Sequence, residues 1–337
     1  MSVVYGVVFV LGFVLLAPPA VWLYRLVYGW WRRRRVAAGP TVLLLPRADL
    51  RPVAPERVRL WARLTDALPH DEPVSWEVWG HRDRSGFALH GSDEGVQAAM
   101  TQIRAEWPGT HRRATGETHP DPAIPPEGWA VWWVELRPKR WDRPLTPSGD
   151  PLRAILLELS AIQGEGRGLV QIIARRDYGT RRKLGRKAFR ARDAETRSKG
   201  LRAAKTQEAR LLEERARQHF LQVTVRCVGM ADTRKRAKGM ARALARALAS
   251  TFSGENPLRW VRQGGRRRPV VERRMGRSGA WTATELAYLA HLAGGDLAAL
   301  APRLLTAPAR FLPAPPEMRI PPHAQVAVPE VSRWNPG

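Results

Sequence analysis

The first 24 residues, MSVVYGVVFVLGFVLLAPPAVWLY, carry no charged side chain, and this stretch restricts the chain's options more than any other. A helix rises about 1.5 Å per residue and a bilayer core is about 30 Å thick, so a run of this length suffices to cross it. The sequence predicts a transmembrane anchor over 1–28, kinked or shortened at Pro18 and Pro19. A cleaved signal peptide is the competing reading. No basic segment precedes the apolar run, however, and Trp22 and Tyr24 sit where a small-residue cleavage site would fall. Arg25, Trp30, Trp31 and the run Arg32, Arg33, Arg34, Arg35 follow, an aromatic belt and then a positive cluster that stays on the cytoplasmic side. The expectation is a single-pass plasma-membrane protein with its N-terminus outside, a basic juxtamembrane segment at 29–40 and its body in the cytoplasm.

The body predicts an α+β fold. An apolar run at 41–46 reads as a strand, and 55–68 places Val58, Trp61, Leu64 and Leu68 at helical spacing behind Pro55. The alternating run at 74–79, turn residues at 80–85 and a run at 87–90 read as a hairpin. Ser92 caps a helix with Val96, Ala99, Met100, Ile103 and Trp107 on one face, and 110–115 returns as an edge strand. This is the βαββαβ order of a ferredoxin-like unit, assigned to 41–118. After a Pro-rich linker at 119–127 the order restarts, with a strand at 128–136 and a helix opened by Asp150 and Pro151. Strands follow at 169–174 and 219–228, then a helix at 232–252 and a last strand at 256–261. The second ferredoxin-like unit is therefore 128–262, with an insertion at 177–218. A basic linker and small helical element occupy 263–301, where Thr282 and Glu285 form a capping box. A Pro-rich tail, 302–337, reads as an extended docking strap.

Charge is distributed unevenly. The chain has a formal net charge of +25, and arginine supplies 49 of its 56 cationic side chains. Such a skew also follows from GC-rich codon usage, so placement is more informative than total. From 175 to 217 there are 16 cations against 6 acids, a net +10, with few apolar residues to bury. That composition predicts a mobile helical arm or hairpin projecting from the body. Its candidate polyanion-binding residues are Arg181, Arg182, Lys183, Arg186, Lys187, Arg190, Arg192, Arg197, Lys199, Arg202 and Lys205. A second cluster adds Arg266, Arg267, Arg268, Arg273 and Arg274. Both suit anionic lipid headgroups or nucleic-acid phosphate, and charge runs also serve simply as solvated faces.

Catalytic signatures are missing from the sequence. There is no P-loop, and the GEGRG turn at 164–168 runs from helix to strand, opposite to a phosphate cradle. The eight histidines form no metal-ligand spacing, and Cys227 is the only cysteine, which excludes an internal disulfide. No nucleophile elbow occurs. Trp129, Trp132 and Trp133 are candidates for base stacking, but alternating aromatics on a strand are more often sheet core.

Several stretches together resemble the region ahead of the motor domain in actinobacterial HerA/FtsK-like conjugation or type IV secretion coupling proteins. They are the anchor with Arg32–Arg35, GDPLRAILLELSAIQGEGRGLVQIIARR at 149–176, HFLQVTVRCVGMADTRKRAKGMARALARALASTF at 219–252 with Asn256, and WTATELAYLAHL at 281–292. The sequence departs from the family by stopping where the P-loop domain would begin, so no ATP hydrolysis, catalytic residue or cofactor is carried over. The resemblance implies a non-catalytic membrane-anchored adaptor of a DNA-transfer machine. Its expected partners are a separate P-loop ATPase, anionic lipid, DNA and further copies of the chain. A tethered nucleic-acid-binding protein acting without a motor is the alternative.

Overall fold

The computed structural model describes residues 27–28, 34 and 36–307, except 70, 117–118, 198–201, 295–296 and 298–302. The side chains of 194–206 are likewise not described. The anchor expected over the first residues and the tail beyond 307 lie outside the described residues. Among the described residues, no helix is long and apolar enough to cross a membrane.

The protein is α+β, with an antiparallel sheet. The first half runs β1 (Thr41–Leu45), α1 (Ala54–Ala67), β2 (Val74–His81), β3 (Ser85–His90), α2 (Asp93–Glu106) and β4 (His111–Ala114). The second half runs β5 (Ala130–Pro138), α3 (Pro151–Ser160), β6 (Gly166–Arg176), the helices α4 (Thr180–Arg197) and α5 (Arg202–Ala216), β7 (Phe220–Ala231), α6 (Arg234–Ser250) and β8 (Leu258–Gly264). A short α7 (Arg268–Val271), β9 (Gly279–Thr282) and α8 (Ala283–Leu289) follow. The sheet order is β4-β1-β3-β2-β6-β7-β5-β8, with β9 paired to β7. Each half repeats the same internal order, and β2 and β6 join them through the register Val74↔Ala174 to His81↔Arg167. The two expected units therefore share one continuous sheet.

The local reasons for the helices are those read from the sequence. Ser92 Oγ accepts the Gly95 N–H, and Asp150 Oδ1 accepts the N–H groups of Leu152 and Arg153, satisfying donors that a helix start leaves open. The helix expected over 232–252 runs over Arg234–Ser250 as α6, capped by Thr233. Its apolar stripe of Ala237, Ala241, Leu244, Ala245 and Leu248 packs on the sheet. Gly229 permits that approach, since a Cβ there would meet the Ala237 carbonyl oxygen at 2.1 Å.

Period-two alternation gives the sheet two buried faces. One presents Trp76, Val78, Val170, Ile172, Val225, Cys227, Val134 and Leu136 to the helices, with Trp61 and Trp107 against Trp76. The other carries Leu43, Trp79, Leu169, Val228 and Trp133. It is roofed by irregular chain, and here the expected linkers are corrected. The 119–127 segment lies over the sheet, its Asp121, Pro122 and Ile124 carbonyls taking bonds from Arg167. Residues 265–278, expected as an exposed basic linker, supply Val270 to the same core. The start of the expected tail also belongs to the body. Ser85 donates to the Arg303 carbonyl, Leu305 donates to Ser85 and Ala307 to Pro46.

Candidate polyanion interface

The second basic cluster and the insertion have similar compositions but different surroundings. Four side chains in the middle of the roofed face stand in one row across the sheet, by the registers Glu77↔Gln171, Gln171↔Arg226 and Arg226↔Glu135. All four are buried. Arg226 donates to Glu135 Oε1 at 2.8 Å, to Gln171 Oε1 at 3.2 Å, and to the Pro269 and Arg274 carbonyls. Gln171 in turn donates to Glu77 Oε1 at 2.8 Å and to the Val270 carbonyl. Arg273 closes the row from above, binding Glu77 at 3.0 Å and, more closely, Asp121.

Arg273 is therefore removed from the candidate binding set, being only 3% exposed. It adopts a left-handed backbone (φ 45°), which costs an L-residue about 1–2 kcal/mol and persists because its surroundings over-determine it. Burial opposes its charge, but Glu77 and Asp121 outweigh burial and raise its pKa. Arg226 has a single carboxylate partner, and there burial prevails, lowering its pKa against the pull of Glu135. Gly276 lets the roof pass over Glu135, whose carboxylate a Cβ would overlap at 2.0 Å. The neighbouring cations are also occupied. Arg268 and Arg274 share Glu272, and Arg267 donates to the Pro125 and Pro126 carbonyls. Arg266 alone of the five has an exposed side chain with no bond among the described residues.

Beside this network, His90 is buried between Thr41 Oγ1 (2.9 Å) and the Val36 carbonyl (3.0 Å). In the neutral ring Nε2 donates to that carbonyl, and the Thr41 hydroxyl donates to Asp121 Oδ2 at 2.6 Å. Burial, reinforced by Arg273, pushes the His90 pKa down to about 3.

Helix α4 of the insertion keeps most of its described cations outside. Arg181, Arg182, Lys183, Arg186, Arg190 and Arg192 on α4 are all exposed. Arg192 pairs with Glu213, and Arg181 donates to the Ala216 carbonyl. Arg182, Lys183, Arg186 and Arg190 make no ion pair among the described residues. Lys187 is half-buried and bound to Asp142. Arg197, Arg202 and Lys205 lie within α4 and α5, but their side chains are not among those described; Lys199 lies outside the described residues altogether. Of the juxtamembrane run only Arg34 is described, and it is exposed.

The expected free arm needs correction at its base. Leu184 and Ala188 of α4 and Leu212 of α5 form a small core with Phe220 and Ala280. The buried Arg215 pairs with Glu285 at 2.8 Å, the same carboxylate that closes the α8 capping box with Thr282 and accepts the Leu145 N–H. The sequence signal was the i, i+4 pair Leu184 and Ala188, too short to read as a stripe. Trp132 and Trp133 are sheet core, as the alternation implied. Arg234 and Lys238 lie over the Trp132 ring and Arg262 over Trp133. Burial raises the Cys227 thiol pKa, which fits a buried strand residue.

No family model matches the chain, and no curated protein matches it. Among solved structures, one match is to the crystal structure of an anthrone oxidase-like protein. It covers 68% of this chain and 95% of that one at 13% identity, with a TM-score of 0.19. A superposition that loose carries no argument about fold or activity.

Proposed function

We propose that this chain is a non-catalytic, membrane-anchored cytoplasmic adaptor of a conjugative DNA-transfer or type IV secretion-like machine. It comprises two tandem ferredoxin-like units, docks a separate P-loop ATPase, and turns the α4 cations toward DNA. The observation that carries this reading is the outer face of α4, where Arg182, Lys183, Arg186 and Arg190 are exposed and unpaired among the described residues while the hairpin's base is anchored in the body. A cationic face on a fixed base can meet a phosphate backbone without the entropic cost of ordering a free arm. The shared sheet supports the platform role, because each half has the 4-1-3-2 strand order of a ferredoxin-like unit and the β2–β6 seam fixes one half to the other.

The test is capture of the machine's ATPase by the solubilised full chain, with and without residues 308–337. The cut follows Ala307 because Arg303–Ala307 bonds to the body. Loss of capture with membrane insertion intact is expected. Undiminished capture would remove the docking role from that segment, and ATP hydrolysis by the chain alone would overturn the adaptor reading. A chain that binds DNA but captures no ATPase would fit a tethered nucleic-acid-binding protein without a motor.

A further inference from the structure

A cleft of 410 Å³ opens at the foot of α4, where Arg137, Lys139, Trp141, Lys183 and Arg259 meet. Arg137 and Arg259 are register partners on β5 and β8, so two like charges start directly opposite each other. Such a pairing destabilises a ladder unless something neutralises it. No carboxylate lines the cleft among the described residues. The nearby Asp177 is fully engaged, with Oδ1 taking the Gly179 and Thr180 N–H groups and Oδ2 taking the Thr180 hydroxyl and Gln222. None of the four cations has an ion-pair partner among the described residues. The Trp141 side chain, on the same wall, is 41% exposed, as Trp260 is at 40%, whereas seven of the ten described tryptophans are buried.

We infer that this cleft seats a stretch of single-stranded nucleic acid, its phosphates held by Arg137, Arg259, Lys139 and Lys183 and one unpaired base stacked on Trp141. An indole stacks only on a base whose face is open, which a duplex does not offer. The volume falls within the range of sites that take a small-molecule-sized group, here one nucleotide. The inference rests on the DNA-facing reading for its partner, and of its residues only Lys183 also belongs to the α4 outer face.

The experiment measures anisotropy of labelled dT15 and of a 15-base-pair duplex with the solubilised full chain over a salt series. Trp141→Ala should weaken dT15 binding by about tenfold or more and leave duplex binding unchanged, with Trp141→Phe restoring most of the loss. Arg137→Gln with Arg259→Gln should flatten the dT15 salt slope by about 1.4, at roughly 0.7 per single-strand phosphate. Unchanged dT15 binding in both cleft variants would overturn the inference, even with duplex binding intact and sensitive to Arg182→Gln/Arg186→Gln. Failure of the unmodified chain to bind either DNA would overturn the cleft and the α4 reading together. Loss of binding to phosphatidylglycerol vesicles in the cleft variants, with dT15 unaffected, would overturn it in favour of a lipid surface.

Discussion

The roof segment 265–278 and helix α4 are both arginine-rich, yet the roof buries Arg273 against Glu77 of the sheet while α4 keeps Arg182, Lys183, Arg186 and Arg190 at the surface. The difference lies in what stands opposite. Beneath the roof, Glu77 and Glu135 sit in one row with Gln171 and Arg226, and with Asp121 they provide acids that draw Arg273 and the backbone of 269–277 onto the sheet. On α4, Lys187 and Arg192 meet Asp142 and Glu213, but among the described residues no acid pairs with Arg182, Lys183, Arg186 or Arg190, which remain exposed. A run of arginines is therefore structural or available according to the acids that strand register brings beneath it.

The largest expected effect comes from breaking the roof. Arg273→Met would leave Glu77 buried without its cation, a change that typically costs about 3–5 kcal/mol. Chemical denaturation should show that loss, and Arg182→Met on α4 should stay within about 0.5 kcal/mol of the unmodified protein. Equal losses would erase the distinction between the two regions. Next is the hairpin's anchor. Leu212→Ala should cost about 2–4 kcal/mol by opening a cavity against Leu184 and Phe220, whereas a free arm would show almost none.

Acid should weaken the buried histidines' surroundings next. His90 is held down to about 3 and His291, buried beside Arg57, to about 4. Both rings stay neutral in the folded protein while the unfolded chain takes up protons below about 6.5. Their contribution is thus complete above that pH and falls as pH drops toward the folded values. By pH 5 each should have lost roughly 2 kcal/mol, and His291→Gln should flatten the acid limb of a stability-against-pH curve. The smallest effect, about 1 kcal/mol, is expected for Thr282→Ala, which removes the α8 cap.

Much of the architecture was legible in the sequence. Ser92, Asp150 and the Thr282–Glu285 box named helix starts from local chemistry, and the repeated strand–helix order gave the two halves because each depends on short-range periodicity. What was not legible depends on partners distant in sequence. Glu77 and Arg273 are 196 residues apart, so neither announces the other. The Pro-rich 119–127 segment reads as a linker locally and becomes a roof only because Arg167 and Arg267 reach its carbonyls. Trp141 carries no motif, and its interest arises from exposure and from the Arg137↔Arg259 register.

The division between a structural roof and an available α4 face is tested most directly by the salt dependence of duplex-DNA binding. Log affinity against log salt should be measured for the unmodified chain and for Arg182→Gln/Arg186→Gln/Arg190→Gln, whose thermal stability should be unchanged. Three lost phosphate contacts should reduce the slope by about 2.7, at roughly 0.9 per contact on B-form DNA. An unchanged slope, or an equal loss from neutralising Arg267 and Arg268 in the roof of the folded protein, would contradict it.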